Sequence, residues 1–526
     1  MRSSMRDLPS RHEPRGRLPK ARLPWLAACA VLALCGGGAR AATVSPAGAQ
    51  AAMQDLRAWV GSLLGPGATA PVLPVQITAA GDHYRIAVPI AGIAAKDGPA
   101  TISAAARPAD DGTWTVDDLQ LPRALGVTLG APAAGPQATG PQAAPGPIAV
   151  RIGIAGAQGH AVIDPALRTP SQLDLSLTGV TSDIRGPLSY QTQHIDRYTL
   201  DTTLAPDTGG ADHGGLLTLS DRADIQGWTV TGQDPGAPKV AFGAARVHAA
   251  GTIAGIDAAQ LRALLAAFAD LGREWPDAVA LARAHKPPPP AARAALRRVV
   301  LASRGILRSF QGEETLDGVR LSVGSLGGGT ARHLKIGFGS DAPDGKLHSR
   351  ISVALDGLAV DGLPPQLAVL VPQQVVLSPS VSDLKLAALT RLAIDATAEH
   401  PDPARLAPDM QALFADGGFT MGMDALSVTL GQTRLTGKGE VRILAPKVMQ
   451  GEARLVATGF AQLMQTARSD PALQQVLPML AMARGLAKTE GDRLVWQIAS
   501  SPDGGVTVNG IPFGGPGGGP GRKPAE

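Results

Sequence analysis

Apolar side chains at every second position are the main feature of the chain after about residue 148. The positions between them hold mostly Asp, Ser, Thr, Lys or Arg. This alternation is typical of strands with one dry face and one wet face, as in antiparallel sheets. Residues 148–513 are therefore predicted to form a large β-rich domain. The clearest alternating stretches are 173–177, 319–323, 334–338, 351–355 and 426–430.

A shorter region near the N-terminus combines helical and strand patterns. Residues 49–65 carry apolar side chains three or four positions apart, which predicts an amphipathic helix. In residues 75–90 and in residues 100–121, apolar and polar side chains alternate on both sides of a turn rich in Gly and Asp. This pattern predicts two hairpins. Residues 42–127 are therefore predicted to form a small domain of one helix and β-hairpins.

Two segments lack any apolar periodicity. Residues 128–147 consist largely of Gly, Pro, Ala and Gln, a composition typical of a flexible linker. Residues 514–526 are rich in Gly and Pro and are predicted to be a disordered tail. We expect the boundary between the two domains at the first of these segments.

Three predicted strands end in the same way, with a glycine followed by a helical or partly helical stretch. Gly255, Gly357 and Gly459 are spaced 102 residues apart. Because glycine adopts positive φ without strain, each can end a strand and turn the chain into a helix that folds onto the dry face. The longest helical region is predicted at 257–310, and another at 461–488.

Together these patterns predict a mainly β protein with helical insertions, of the α+β class. We expect an extended, curved antiparallel sheet, or sheets, with the helices packed on the apolar face. Aromatic residues make up only 3% of the chain, so Ala, Val, Leu and Ile must fill the interior. That composition suits sheets better than aromatic ligand pockets.

Residues 1–41 have the pattern of a secretory signal peptide. A basic stretch precedes a short apolar run, and Ala39-Arg40-Ala41 gives the small-x-small spacing of a cleavage site. We therefore expect export from the cytoplasm. A lipoprotein anchored through Cys29 is the alternative. Soluble export is favoured because the apolar run before Cys29 is short and continues beyond it.

The leader also changes the charge and the cysteine count. It holds eight basic and two acidic residues, so its removal changes the formal net charge from +4 to −2. Nucleic-acid binding, which needs a concentrated cationic surface, loses its support. Both cysteines, Cys29 and Cys35, lie in the leader. We expect no disulfide, no thiolate metal site and no cofactor in the exported chain.

Two histidine–aspartate pairs are the first candidates for chemistry. His194 and Asp196 are two residues apart on a predicted strand, where a carboxylate could orient an imidazole for metal binding or general-base work. No third ligand is visible, so a solvent-facing polar pair is favoured. Asp212-His213 lies in a glycine-rich loop that cannot hold a defined geometry. No metal site is predicted.

The remaining motif matches are treated as chance. Ser382 and Lys385 match a Ser-x-x-Lys motif, but the stretch alternates like a strand and its companion motifs are missing. Gly431 and 437–439 have the wrong spacing for a phosphate-binding loop. Adjacent acids at 117–118 and 313–314 point to opposite faces of a strand, which excludes a carboxylate couple and predicts solvated edges. No catalytic residue is predicted, and we do not expect an enzyme.

The second half of the long helical region is basic. Arg293, Arg297 and Arg304 follow a run of prolines, beside an apolar stripe. Such a helix could contact an anionic membrane surface peripherally. A helix with its arginines in water and its apolar stripe on the sheet is the favoured interpretation.

The C-terminal stretch carries a family resemblance. The closing GDRLVWQI (491–498) and VTVNG (506–510), after strands broken by strand-Gly-helix units, resemble Gram-negative envelope proteins grouped as domain of unknown function family 2125. A looser likeness is to family 945 and to AsmA-like proteins. The resemblance covers about 148–513 and implies a periplasmic, β-rich, non-enzymatic protein. It brings no catalytic residues to this chain.

Three functions are therefore compared. The preferred hypothesis is a periplasmic envelope protein that binds a lipid or another apolar ligand in a β-sheet groove. The second is a non-catalytic scaffold or adaptor that binds envelope proteins through exposed strand edges. The third is a hydrolase, which would need a deep pocket gathering His194, Asp196 and another polar group. Helices covering the dry face completely would exclude the first.

Overall fold

The structure is a computed structural model. It describes residues 44–54, 75–95, 98–129, 148–164, 169–186, 189–207, 216–234, 236–274, 289–303, 308–396, 402–469 and 471–513. The predicted signal peptide with Cys29, most of the predicted linker, the tail 514–526, the pair Asp212-His213 and Arg304 lie outside these residues.

The described chain is mainly β, as predicted, and its strands form one antiparallel sheet. The strands are β1 (Gln76–Ala80), β2 (His83–Ala95), β3 (Gly98–Pro108), β4 (Trp114–Gln120), β5 (Ala124–Leu129), β6 (Ile148–Gly153), β7 (Gly156–Asp164), β8 (Thr169–Arg185), β9 (Tyr190–Pro206), β10 (Leu216–Gln233), β11 (Val240–Asp257), β12 (Ser309–Val323), β13 (Gly328–Asp341), β14 (Lys346–Asp356), β15 (Ala359–Val360), β16 (Gln374–Lys385), β17 (Phe419–Leu430), β18 (Thr433–Ala445), β19 (Val448–Thr458), β20 (Lys488–Glu490), β21 (Arg493–Ser500), β22 (Val506–Val508) and β23 (Ile511–Pro512).

The helices lie between these strands. Short 3-10 turns at Gly324–Leu326, Pro343–Gly345, Ala415–Gly417 and Pro471–Val476 add to them. The α-helices are α1 (46–54), α2 (Ala258–Glu274), α3 (Pro290–Ala302), α4 (Pro365–Ala368), α5 (Leu386–Ala396), α6 (Pro403–Phe414), α7 (Phe460–Ser469) and α8 (Leu477–Leu486).

From β7 onward, the long strands pair with their neighbours in chain order. The ladder runs from β7 through β14, passes to β16 and continues through β19 to β21, with β22 and β23 at its end. The N-terminal strands are arranged differently. β2 pairs with β3 and β5, β3 with β4, β4 with β7, β5 with β6, and both β6 and β7 pair with β8. These pairings form a closed circuit.

The pairing crosses the predicted domain boundary. Strands on the N-terminal side of residues 128–147 bond to strands on the C-terminal side, at Trp114↔Ile163 and Val127↔Val150. The predicted hairpin turns at Gly81-Asp82 and at 110–112 are present between β1 and β2 and between β3 and β4. The same sheet therefore continues from the predicted N-terminal domain into the large β-rich region.

Glycine bulges keep one side of the sheet apolar along strands of up to 18 residues. Gly179 in β8, Gly227 in β10 and Gly318 in β12 have φ of 57°, 63° and 62°, a backbone that glycine adopts without strain. In β10 the apolar positions are odd before Gly227, as at Ile225, and even after it, as at Trp228. Without this bulge, the second half of the strand would turn its apolar side chains to the other face.

The predicted strand-Gly-helix repeat is a property of the fold. Gly255, Gly357 and Gly459 have φ of 73°, 65° and 67°. Gly255 precedes α2 at the end of β11, Gly357 follows β14, and Gly459 lies between β19 and α7. Each glycine lets the chain leave the sheet at a sharp turn.

The N-terminal core lies between α1 and the first strands. Buried residues from β1 to β4 and from β7 surround Ile86 and Val88, which are 1% and 0% exposed. Ala49 and Met53 of α1 pack against this cluster. The Tyr84 hydroxyl accepts a hydrogen bond from the Ser45 backbone N–H at 3.2 Å and fixes the start of the helix. The apolar side of the sheet is therefore covered at this end.

The C-terminal core covers the other end. Phe460 and Met464 of α7 pack with Leu494, Trp496 and Val508 of the closing strands, and residues of α8 pack around them. The Trp496 indole N–H donates to the Ala483 carbonyl oxygen of α8 at 2.8 Å. Trp496, 8% exposed, is therefore a core residue at this end of the sheet.

The helical predictions need adjustment at their ends. The described part of the predicted region 257–310 contains two helices, α2 and α3, and its last residues belong to β12, which begins at Ser309. Of the predicted helix 49–65, residues 49–54 are described and helical, and the helix begins earlier than predicted, at residue 46. Apolar periodicity located these helices but did not fix where each one ends.

Candidate ligand-binding face

The apolar side chains of neighbouring strands line up in rows across the sheet. The cross-strand pairs Ile225↔Val247, Val247↔Leu316 and Leu316↔Leu334 belong to one row. The row continues through Leu334↔Leu355 and Leu355↔Val375. Paired residues point to the same side of a sheet. The apolar side is therefore continuous from β10 to β16.

The middle of this apolar side is only partly covered. We call the apolar side of β9–β14, β16 and β17 the central face. Its large side chains include Leu321, Ile351 and Met421, which are 46%, 49% and 51% exposed. No residue of β14, β16 or β17 is buried. Core strands of a two-layer protein bury one side, so the residues that the structure describes do not complete a second layer over this face.

Buried residues of the central face form two small clusters. Ala244, Val247 and Leu316 form one of them. The other, near the start of α2, has Leu204, Leu217 and Ile256 as its buried members, with Leu261 of the helix packed against them. Leu261 thus connects the face to α2, while Leu321 and Ile351 stay about half exposed.

The helices between the long strands contact one another. Arg298 of α3 binds Asp270 of α2 at 2.9 Å, and Arg391 of α5 lies 3.4 Å from Asp409 of α6. α3 contacts α5, and α6 contacts β16 and β18. These helices therefore pack against one another as well as against individual strands.

The opposite side of the sheet is polar and is held by ion pairs between strands. Asp224 binds Arg246 at 2.6 Å and lies 3.3 Å from His248 Nδ1. Burial acts to raise the pKa of Asp224, but the hydrogen bonds and charges of Arg246 and His248 outweigh it and lower the pKa. Charged side chains therefore remain ionised and paired on this side of the sheet, which is unsuited to an apolar ligand.

Several polar residues interrupt the central face, among them Tyr198, Thr202 and Asp221. Tyr198 and Thr202 lie on β9, and Asp221 lies on β10 directly opposite Thr202. Burial, and then the charge of Asp221, raise the pKa of the Tyr198 hydroxyl, which therefore stays protonated and can donate a hydrogen bond. Glu314 on β12 is a further acid on the same side, opposite Ala249.

The predicted pair His194 and Asp196 is brought together on the surface. Nε2 of His194 lies 2.9 Å from Oδ1 of Asp196, and their side chains are 48% and 65% exposed. Within the described residues, no group of three or more His, Cys, Asp or Glu side chains could hold a metal ion. The pair thus has neither the burial nor the third partner that the hydrolase hypothesis needs.

The other motif residues have structural partners. Ser382 and Lys385 lie in β16, and the Lys385 ammonium binds Asp416 at 2.5 Å. Asp117, expected to be a solvated edge, binds Arg107 at 3.2 Å and lies 2.7 Å from His160 Nδ1. The Lys385 ammonium and the Asp117 carboxylate are thus held in ion pairs.

The remaining candidates also occupy structural positions. Glu313 binds Lys335 on the polar side at 2.7 Å, while Glu314 lies on the apolar side, so these acids do point apart. Gly431 lies in the turn before β18, and 437–439 lie within that strand.

The basic helix α3 presents its residues in two ways. Ala292, Ala295 and Val299 are buried, and Arg297 is exposed. Arg293 is half-buried. Among the described helices, none combines the length and the apolar character needed to cross a bilayer.

In the part of the chain that the structure describes, the fold is an antiparallel sheet with one continuous apolar side, which is buried at both ends and about half exposed in the middle. Comparisons with protein-family models, with curated proteins and with solved structures give no match to this chain. Sequence reasoning missed Tyr198, Asp221 and Glu314 as members of the central face. Asp221 alternates with Leu219, Ala223 and Ile225 along the sequence. This spacing alone would have predicted a charged residue on the apolar side of the strand.

Proposed function

We propose that this protein is exported to the periplasm and binds the acyl chains of a lipid, or a similar apolar ligand, on the central face. The observation that carries the proposal is the half-exposed apolar side of β9–β17 between two covered ends. A continuous apolar surface of this kind on a soluble domain marks a binding site.

The size of the central face supports this proposal. Its eight strands, at ordinary spacing, extend about 34 Å across the sheet. The hydrocarbon part of a bilayer is about 30 Å thick, so one leaflet supplies chains of about 15 Å. The face is long enough for about two such chains end to end. A curvature of the sheet, as expected from its pattern, would wrap these strands around the ligand.

The energetics also favour a chain-like ligand. Burial of each methylene group contributes about 0.8 kcal/mol, so an acyl chain gains affinity with every carbon that contacts the sheet. The side chains that would contact it are mainly Leu, Ile, Val, Ala and Met. They offer a smooth apolar surface with few directional groups, which suits ligands that vary in chain length.

Native mass spectrometry of the exported protein, purified from its own periplasm without detergent, tests the proposal. We expect a mass increment that is released on denaturation and identified as lipid. A stable complex with another protein and no extractable lipid would support the scaffold hypothesis instead. A species at the mass of the bare chain would contradict the proposed function.

A further inference from the structure

The charges on the central face point to the chemistry of the ligand's polar group. Among the residues that the structure describes in β9–β17, Asp221 and Glu314 are the only charged ones on the apolar side. Both are acidic and both are half-buried. Neither side chain makes a hydrogen bond or an ion pair with any residue that the structure describes.

The surroundings of Asp221 leave its carboxylate accessible. A Cβ atom added to Gly251 on the adjacent β11 would lie 2.7 Å from Asp221 Oδ1, so the carboxylate lies over this glycine. Thr202 is directly opposite on β9, and Tyr198 is four residues along that strand. Asp221 and Glu314 are about 12 Å apart at their Cα atoms by strand geometry. The floor between them is Ala249 and Gly251.

A ligand that covers this region must deal with the two charges. Burying a carboxylate under an alkyl chain without a partner carries a large desolvation penalty, whereas a cation or a hydrogen-bond donor offsets it. On the polar side, by contrast, the protein itself neutralises its acidic side chains: Asp224 and Glu313 each bind a cationic residue. For Asp221 and Glu314 the partner must come from the ligand.

We propose that the central face selects lipids that carry an ammonium group, with Asp221 as the main specificity-determining residue, supported by Tyr198 and by Glu314. This inference rests on the proposed function, because it assumes that an apolar chain occupies the face. The ammonium group binds the Asp221 carboxylate through charge-assisted hydrogen bonds, and the chain lies along the apolar rows. An anionic headgroup is disfavoured at this position by like charge.

The test compares amphiphiles that share one alkyl chain and differ in their headgroup. Dodecylamine, dodecyl maltoside and dodecanoate are titrated below their micellar concentrations into the full chain, and binding is measured by calorimetry. We expect dodecylamine to bind about tenfold more tightly than the maltoside, the equivalent of a single charge-assisted hydrogen bond. Dodecanoate is expected to bind most weakly.

Charge-removing variants locate the preference. Asp221→Asn keeps the side-chain shape and is expected to remove most of the amine preference, and Asp221→Asn with Glu314→Gln is expected to abolish it. Asp221→Glu restores the charge and the preference. The matched control is Glu313→Gln, next to Glu314 but on the polar side, which is expected to leave the tenfold ratio unchanged.

The outcomes separate the two proposals. If no amphiphile binds, the proposed function itself fails. If all three bind equally to the wild-type chain, or if dodecanoate binds most tightly, chain binding stands and the headgroup inference is overturned. A loss of preference in Glu313→Gln also overturns it. Circular dichroism checks that each variant folds, and the wild-type ranking alone decides if the double variant does not fold.

Discussion

The central face and the cores should respond differently when an apolar side chain becomes polar. We consider the triple variant Leu321→Ser, Ile351→Ser and Met421→Ser. These side chains lie on β12, β14 and β17 and are about half exposed in the free protein. A ligand on the central face would cover the exposed half of each. The variant should therefore lose more ligand affinity than a core variant of similar size.

The expected magnitude follows from the exposed fractions. Full burial of a Leu, Ile or Met side chain contributes about 1.5–3 kcal/mol, so covering the remaining half contributes about 1 kcal/mol. Three such losses weaken ligand binding by about 3 kcal/mol, or roughly 100-fold. The free energy of unfolding should fall by a similar amount of about 1 kcal/mol per residue. In contrast, truncation of the buried Leu494 to Ala should cost about 2–5 kcal/mol of stability.

Two measurements on the same samples check this reasoning. Urea denaturation gives the free energy of unfolding, and displacement of a fluorescent acyl probe gives the affinity. Val376→Ser, on the polar side of β16, is the matched control and should leave probe affinity unchanged. An unaltered affinity in the triple variant would refute the assignment of the central face as the binding surface.

Further predictions concern the parts that hold the sheet in place. Trp496→Phe removes the donor to the Ala483 carbonyl oxygen and should lower the unfolding free energy by about 1–3 kcal/mol, measured by urea denaturation. Gly459→Ala should destabilise the protein more than Gly491→Ala does. Both glycines have a positive φ, 67° and 65°, so the backbone strain is similar. Only at Gly459 would the added Cβ overlap a carbonyl oxygen, that of Gln432. Thermal unfolding compares the two, and equal shifts would contradict the steric argument. Because the folded state lowers the pKa of Asp224 below its ordinary value of 3.8, the contribution of Asp224 to stability is present above that pH and is lost as the pH falls below it. The free energy of unfolding, measured by urea denaturation at a series of acidic pH values, should therefore fall less steeply with decreasing pH in Asp224→Asn than in the wild type.

Much of the architecture follows from local patterns in the chain. The alternation at 351–355 predicted a strand, and β14 contains it. Gly255, Gly357 and Gly459 predicted the points where the chain leaves the sheet, because positive φ at a strand end strongly favours glycine. The mainly β class and its antiparallel pairing follow from one wet and one dry side.

The candidate site depended on long-range geometry that the sequence does not contain. Whether a dry side is covered depends on where the helices lie, and α2, α3, α5 and α6 contact one another as well as strands β11, β16 and β18. The pair Asp117 and His160 meets because β4 pairs with β7 across the undescribed residues 130–147. Alternation alone could not set that register, because shifts of two residues preserve the same faces.

Photolabelling with an acyl chain that carries a diazirine group tests the central claim most directly, because it reports which side of which strand the chain contacts. After irradiation and proteolysis, we expect labels on the apolar side of β9–β17, at residues such as Ile351 and Met421, and competition by unlabelled lipid. Labels spread over the polar side, confined to the ends of the sheet near Ile86 or Trp496, or insensitive to competing lipid would contradict the account.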